Sequence, residues 1–95
     1  MARELAIEGD VVEWAEDNGW IVRKMSYIGR RGAADRFFFG YGQIVLIEFK
    51  KRNGALSVQQ ARERQRLAAV GVTVHRVDTV AEGIAILEGV MLLAA

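Results

Sequence analysis

The chain has no cysteine, no proline and a single histidine, His75. Without cysteine there is neither a disulfide nor a thiolate metal site, which fits a reducing, cytoplasmic compartment. A lone imidazole is a poor basis for a metal centre or an acid–base dyad, so His75 reads as a strand surface residue. No apolar run approaches the length of a membrane span, and no signal-peptide pattern opens the sequence. Proline is missing although several turns are expected. What remains is a chain of 95 residues, expected to form one domain over residues 1–95 around one modest core.

Net charge is near neutral at +1, but the charges are not evenly spread. Residues 22–66 carry eleven basic side chains and only three acids, Asp35, Glu48 and Glu63, a local balance of +8. Six of the nine other acids lie in residues 4–17. A basic middle around an acidic pair suits a polyanion held against a metal ion. Scattered surface charge that serves solubility is the plainer alternative.

The central stretch runs from Gly32 to Lys50. Two apolar runs flank Gly40-Tyr41-Gly42, which reads as a β-hairpin. Side chains two apart share a strand face, so Ile44, Leu46, Glu48 and Lys50 line one face and Val45, Ile47 and Phe49 the other. Closing the hairpin returns Asp35 to the neighbourhood of Glu48 and Lys50. Two carboxylates make a hard oxygen site suited to Mg²⁺ or Mn²⁺. A lysine beside them can orient water or stabilise a phosphoryl oxygen. An Asp at a strand start and a Glu-Lys pair on a solvated strand end would look the same.

Residues 3–18 read as a helix whose apolar arc holds Leu5, Ile7, Val11, Val12, Trp14 and Ala15. Glu4 and Glu8 fall inside that arc. Glu8 can reach the site as a third acid; the alternative is that the helix start frays and both glutamates turn to solvent, which suits Glu4 better, being nearer the end. Asn18-Gly19 ends the helix. Residues 20–28 read as a first strand. Gly29-Arg30-Arg31-Gly32 follows, a basic turn whose glycines allow close approach to phosphate; an ordinary basic turn looks no different. Lys51 and Arg52 open a basic loop after the hairpin. A second helix runs from Ser57 to Val70, with Ser57 and Gln60 as a capping box. Arg62 and Arg66 are four apart and share a face from which they can grip DNA backbone. Val72–Val77 is a short strand. A last helix opens at a Thr79–Glu82 capping box, with Val80, Ile84, Leu87 and Met91 as its core stripe and an apolar tail, Val90–Ala95, available to a partner surface. The order αβββαβα, with a helical crossover, gives an α/β fold with a mixed sheet.

Glu8, Gly32-Ala-Ala-Asp35, Ile47-Glu48-Phe49-Lys50 and Ser57-x-x-Gln60, in that order, resemble the PD-(D/E)xK nuclease superfamily. More narrowly they resemble the VRR-NUC domain in its small free-standing phage and bacterial form. Gly71–Glu82 resembles the family's closing strand and helix, and the similarity runs over roughly residues 4–88. The resemblance implies a restriction-endonuclease-like αβββαβ core followed by a C-terminal helix. It implies that Asp35, Glu48 and the Phe49 carbonyl bind Mg²⁺, with Mn²⁺ as a substitute. By the same likeness Glu8 is the first-helix acid, Lys50 the catalytic lysine and Gln60 the helix glutamine. One departure is Ala34, where the family usually has proline. The expected function is a metal-dependent DNA endonuclease in which water attacks phosphorus in line. Arg30, Arg31, Lys51, Arg52, Arg62 and Arg66 are its expected DNA contacts. Similar small relatives imply a homodimer acting on branched DNA, four-way (Holliday) junctions in particular. The alternative from another class is a catalytically silent DNA-binding or assembly module.

Overall fold

The sheet is built outward from the hairpin that Gly40-Tyr41-Gly42 closes. In the computed structural model, which describes residues 4–95, β2 (Arg36–Gly40) and β3 (Gln43–Phe49) pair antiparallel, with Phe38 opposite Val45 and Arg36 opposite Ile47. Tyr41 and Gly42 take φ of 54° and 74°, the two positive angles of a type I′ turn. Tyr41 is an unusual residue for that conformation. Its ring lies 5.1 Å from the Trp20 ring, and its hydroxyl donates to the Asn18 carbonyl. Those contacts offset the backbone strain.

β1 (Ile21–Lys24) adds antiparallel to β2, and β4 (Val74–Val77) adds parallel to β3, giving the order β1-β2-β3-β4. The helices are α1 (Glu4–Asp17), α2 (Val58–Ala69) and α3 (Val80–Ala94). The element order and the mixed sheet are those predicted; the predicted helix start at residue 3 lies outside the described residues.

Alternation along β3 sorts the core into two layers. Val45, Ile47 and Phe49 pack with Phe38, Val77, Leu87 and the α1 residues Ile7, Val11 and Ala15. Leu46 faces the other way, against Ala34 and Val74, where Phe37, Leu67 and Val72 cover it. So α1 and α3 lie on one face and α2 on the other. The Arg64 Nε donates to the Val74 carbonyl at 2.9 Å and ties α2 to β4.

Three local expectations need correction. The first strand ends at Lys24, not at residue 28, because β2 begins only at Arg36 and leaves residues 25–28 no strand to pair with. In the stripe of α3, Val80, Leu87 and Met91 meet the core as expected, joined by Gly83, Ile86 and Val90, while Ile84 is half-buried and stands outside it. A Cβ on Gly83 would lie 2.8 Å from Val11 Cγ2, so the glycine lets α3 approach α1 closely. At the start of α3 the Thr79 hydroxyl accepts from the Glu82 amide, but the Glu82 carboxylate accepts from the Asp78 amide and not from Thr79. The reciprocal box forms only at Ser57 and Gln60.

Candidate metal and phosphate site

The end of β3 carries Glu48 and Lys50 out of the core on the face that α2 covers. Asp35 precedes β2 by one residue, and its Oδ2 accepts from the Phe49 amide at 2.8 Å. That bond pins the start of one hairpin arm to the end of the other. Glu48 is only 2 % exposed. Its Oε2 accepts from the Gln60 Nε2 at 2.9 Å and lies 4.0 Å from the Lys50 Nζ. Gln60 performs both roles considered for it: its Oε1 also accepts from the Ser57 amide at 2.9 Å, closing the cap. The helix cap thus fixes the side chain that holds Glu48. Lys50 is fixed at its backbone, where its amide donates to the Val77 carbonyl at 2.9 Å.

The third acid is Glu4. One oxygen each from Glu4, Asp35 and Glu48 fall within 4.8 Å of one another. Glu8, expected in that place, is instead ion-paired with Arg36. The two glutamates are one helical turn apart and face the same way, and Arg36, adjacent to Asp35, captures the inner one. Burial above all, and then the hydrogen bond and charge of Asp35, push the Glu48 carboxyl up to about 8, against the pull of Lys50. Acids this close share a proton when no cation separates them.

The donor set fits a hard divalent cation. All three groups are carboxylates, the preference of Mg²⁺ and Mn²⁺. Two ligands on one ion at about 2.1 Å are at most about 4.2 Å apart, so the cluster needs only a small contraction to chelate. The Phe49 amide is engaged by Asp35.

The basic residues divide. Arg30, Arg31, Arg62 and Arg66 line one shallow depression of about 190 Å³ together with Gln59. Lys51 and Arg52 are exposed on the loop after β3 and do not line it. Their loop is held by Asp78, whose Oδ2 accepts from the Asn53 amide at 2.9 Å, and by Arg76, which donates to the Gly54 carbonyl. The Asn53 amide first, and then the Arg76 guanidinium 3.1 Å from the Asp78 Oδ2, hold the Asp78 carboxyl below its usual range. Sequence reasoning missed Glu63, buried on α2 beneath the arginines and paired with Arg66 at 3.2 Å. A lone acid among four arginines of α2 and its approach was the available signal. Ala34, in the place of the family's usual proline, is buried against Leu46 and Val74 and serves packing.

A mixed sheet that brings an Asp and a Glu-x-Lys together at the open end of its central hairpin, with a helical glutamine and a third acid beside them, defines a nuclease-type domain. A solved structure described as "VRR_NUC domain" superposes with a TM-score of 0.81 at 30 % identity, covering 93 % of this chain and 97 % of that one. The chain belongs to the VRR_NUC domain family. A scan of family models gives no match, and neither does a search of curated proteins.

Proposed function

We propose that residues 1–95 form one metal-dependent DNA endonuclease domain acting in the cytoplasm of a bacterial or phage-infected cell. The observation that carries this reading is the three-carboxylate cluster beside Lys50, set in the basic middle of the chain. Asp35, Glu48 and Glu4 would hold Mg²⁺ or Mn²⁺, with the Phe49 carbonyl as the further ligand the family resemblance implies. When bound, such a cation polarises water and offsets charge on the phosphoryl oxygens.

The chain's own groups do the rest. Gln60 holds the Glu48 carboxylate in place within the cluster. Glu48 gives up its proton as the site loads. Lys50 presents its ammonium at the same opening, where it orients the attacking water and stabilises the phosphoryl oxygen in the transition state. The water oxygen joins phosphorus, the P–O ester bond breaks, and the proton passes to the departing oxygen. Arg30, Arg31, Arg62 and Arg66 hold phosphates of the same strand, with Lys51 and Arg52 as a second contact.

The preferred substrate is branched DNA, four-way junctions in particular, cut by a homodimer. Support for pairing comes from an apolar cleft of about 490 Å³ bordered by Ile44, Val72, Val90 and Leu93, with Leu93 itself 91 % exposed. Labelled four-way and linear DNAs, incubated with Mg²⁺, Mn²⁺ or chelator, test the activity. Cleavage should need the metal and vanish in Glu48→Gln and Lys50→Ala while binding persists. Near wild-type cutting by either variant refutes the site. Equal cutting of both DNAs removes the junction preference, and a single-chain mass by light scattering removes the dimer.

A further inference from the structure

Between β1 and β2 the chain makes a second tight turn. Tyr27 and Arg30 bridge antiparallel, with Ile28 and Gly29 at the corner. Gly29 has φ of 71°, the angle a type II turn asks of its third residue. Ile28 takes the second position, and its side chain is fully exposed, the most exposed of the large apolar side chains among the described residues. An isolated apolar residue on a surface is ordinary. This one stands beside a charged mount.

The mount is α2. Burial first, and then the nearby Glu63 carboxylate, raise the Tyr27 hydroxyl above its usual value, and a Cβ on Gly32 would lie 2.6 Å from the Gln59 carbonyl oxygen. The segment that follows the turn therefore packs closely on the helix, with Gly32 against Gln59 and the Cβ of Glu63. The same two segments supply Arg30, Arg31, Arg62 and Arg66 to one depression. Glu63 is the sole acid of α2 and is already neutralised by Arg66. An apolar tip two residues from a cluster of guanidiniums matches one polymer well. Nucleic acid presents phosphates at its edge and apolar base faces just inside them.

We propose that Ile28 is a wedge that enters the base stack of DNA whose phosphates the four arginines hold. The proposal rests on the nuclease reading and gives it a source of selectivity. Wedging a paired duplex requires unstacking a base step, at a few kcal/mol. At a branch point the step is stacked less firmly, so opening it costs less and the buried isoleucine adds more net affinity. A preference for branched DNA then follows from the tip residue as well as from any pairing of two chains.

The full chain in chelator, with 2-aminopurine at the branch point of a four-way junction or at mid-duplex, tests this. Anisotropy reports binding and 2-aminopurine fluorescence reports unstacking. The wild type should raise the branch-point fluorescence. Ile28→Ala should abolish the rise and weaken junction binding roughly tenfold, as loss of a buried apolar side chain implies, with far less effect on linear duplex. Ile28→Leu should restore both, and the melting temperature should not move, since the side chain touches nothing. Binding without a fluorescence rise, or a rise that survives Ile28→Ala, overturns the wedge and leaves the nuclease intact. A change of mass on Ile28→Ala places the residue between protein copies and also overturns it. No binding in chelator or Mg²⁺ removes the nuclease reading and the wedge together.

Discussion

Glu48→Gln should change how the metal-free protein responds to pH. In the folded chain the Glu48 carboxyl is pushed from 4.5 to about 8, by burial first and by Asp35 second. An acid with a raised value binds its proton more tightly folded than unfolded. Its stabilising proton is fully present below the unfolded value, and stability falls as pH rises from 4.5 towards about 8. For that displacement alone, ionising the unfolded chain's carboxyl costs the folded state about 1 kcal/mol at pH 5 and about 3 at pH 7. Relaxation of the site and water entry reduce these ceilings. A difference of about 1–2 kcal/mol between the two pH values then remains, or on the order of 5–10 °C in melting temperature for a domain of this size. Thermal melts in chelator from pH 5 to pH 8 measure it. Wild type should lose stability across that window, and Glu48→Gln, which has no proton to lose, should lose distinctly less. Saturating Mg²⁺ should reverse the order, since a ligand at a thousand times its dissociation constant adds about 4 kcal/mol to the chain that binds it. Parallel melting curves for the two proteins in chelator would refute the account of a buried, proton-sharing acid pair.

The first-helix glutamates separate site from scaffold: Glu4→Gln should weaken metal binding by calorimetry with little effect on melting, whereas Glu8→Gln should lower stability by about 1–3 kcal/mol by leaving the half-buried Arg36 unpaired. The reverse pattern would return Glu8 to the metal. Gly83→Ala should destabilise by about 1–3 kcal/mol despite alanine's better helix propensity, because its Cβ meets Val11 at 2.8 Å; a melting temperature at or above wild type would show that α3 shifts freely against α1.

Local chemistry made much of this protein legible in its sequence. A Gly-Tyr-Gly corner between apolar runs specifies a hairpin. A period of two then assigns Glu48 and Lys50 to one face and Val45, Ile47 and Phe49 to the other, and chain geometry alone returns Asp35 to them. Ser57 and Gln60 announce the start of α2 by spacing. Each of these follows from neighbours within a strand, a turn or a helical turn. The choice between Glu4 and Glu8 does not. They lie only about 40° apart around the helix at 100° per residue, so one apolar arc contains both, and the decision belongs to Arg36, which is 28 residues from Glu8 in sequence. On α3 the period placed Val80, Leu87 and Met91 on the core but not Ile84, because a helix apolar nearly all round can bury several faces and the close approach at Gly83 helps select one. Whether Arg30 and Arg31 would meet Arg62 and Arg66 depended on the close approach of Gly32 to α2. Periodicity and spacing report which groups a segment presents. Which distant partner each presented group meets is set by the packing of separate elements, and that is where the third acid, the arginine depression and the exposed Ile28 were decided.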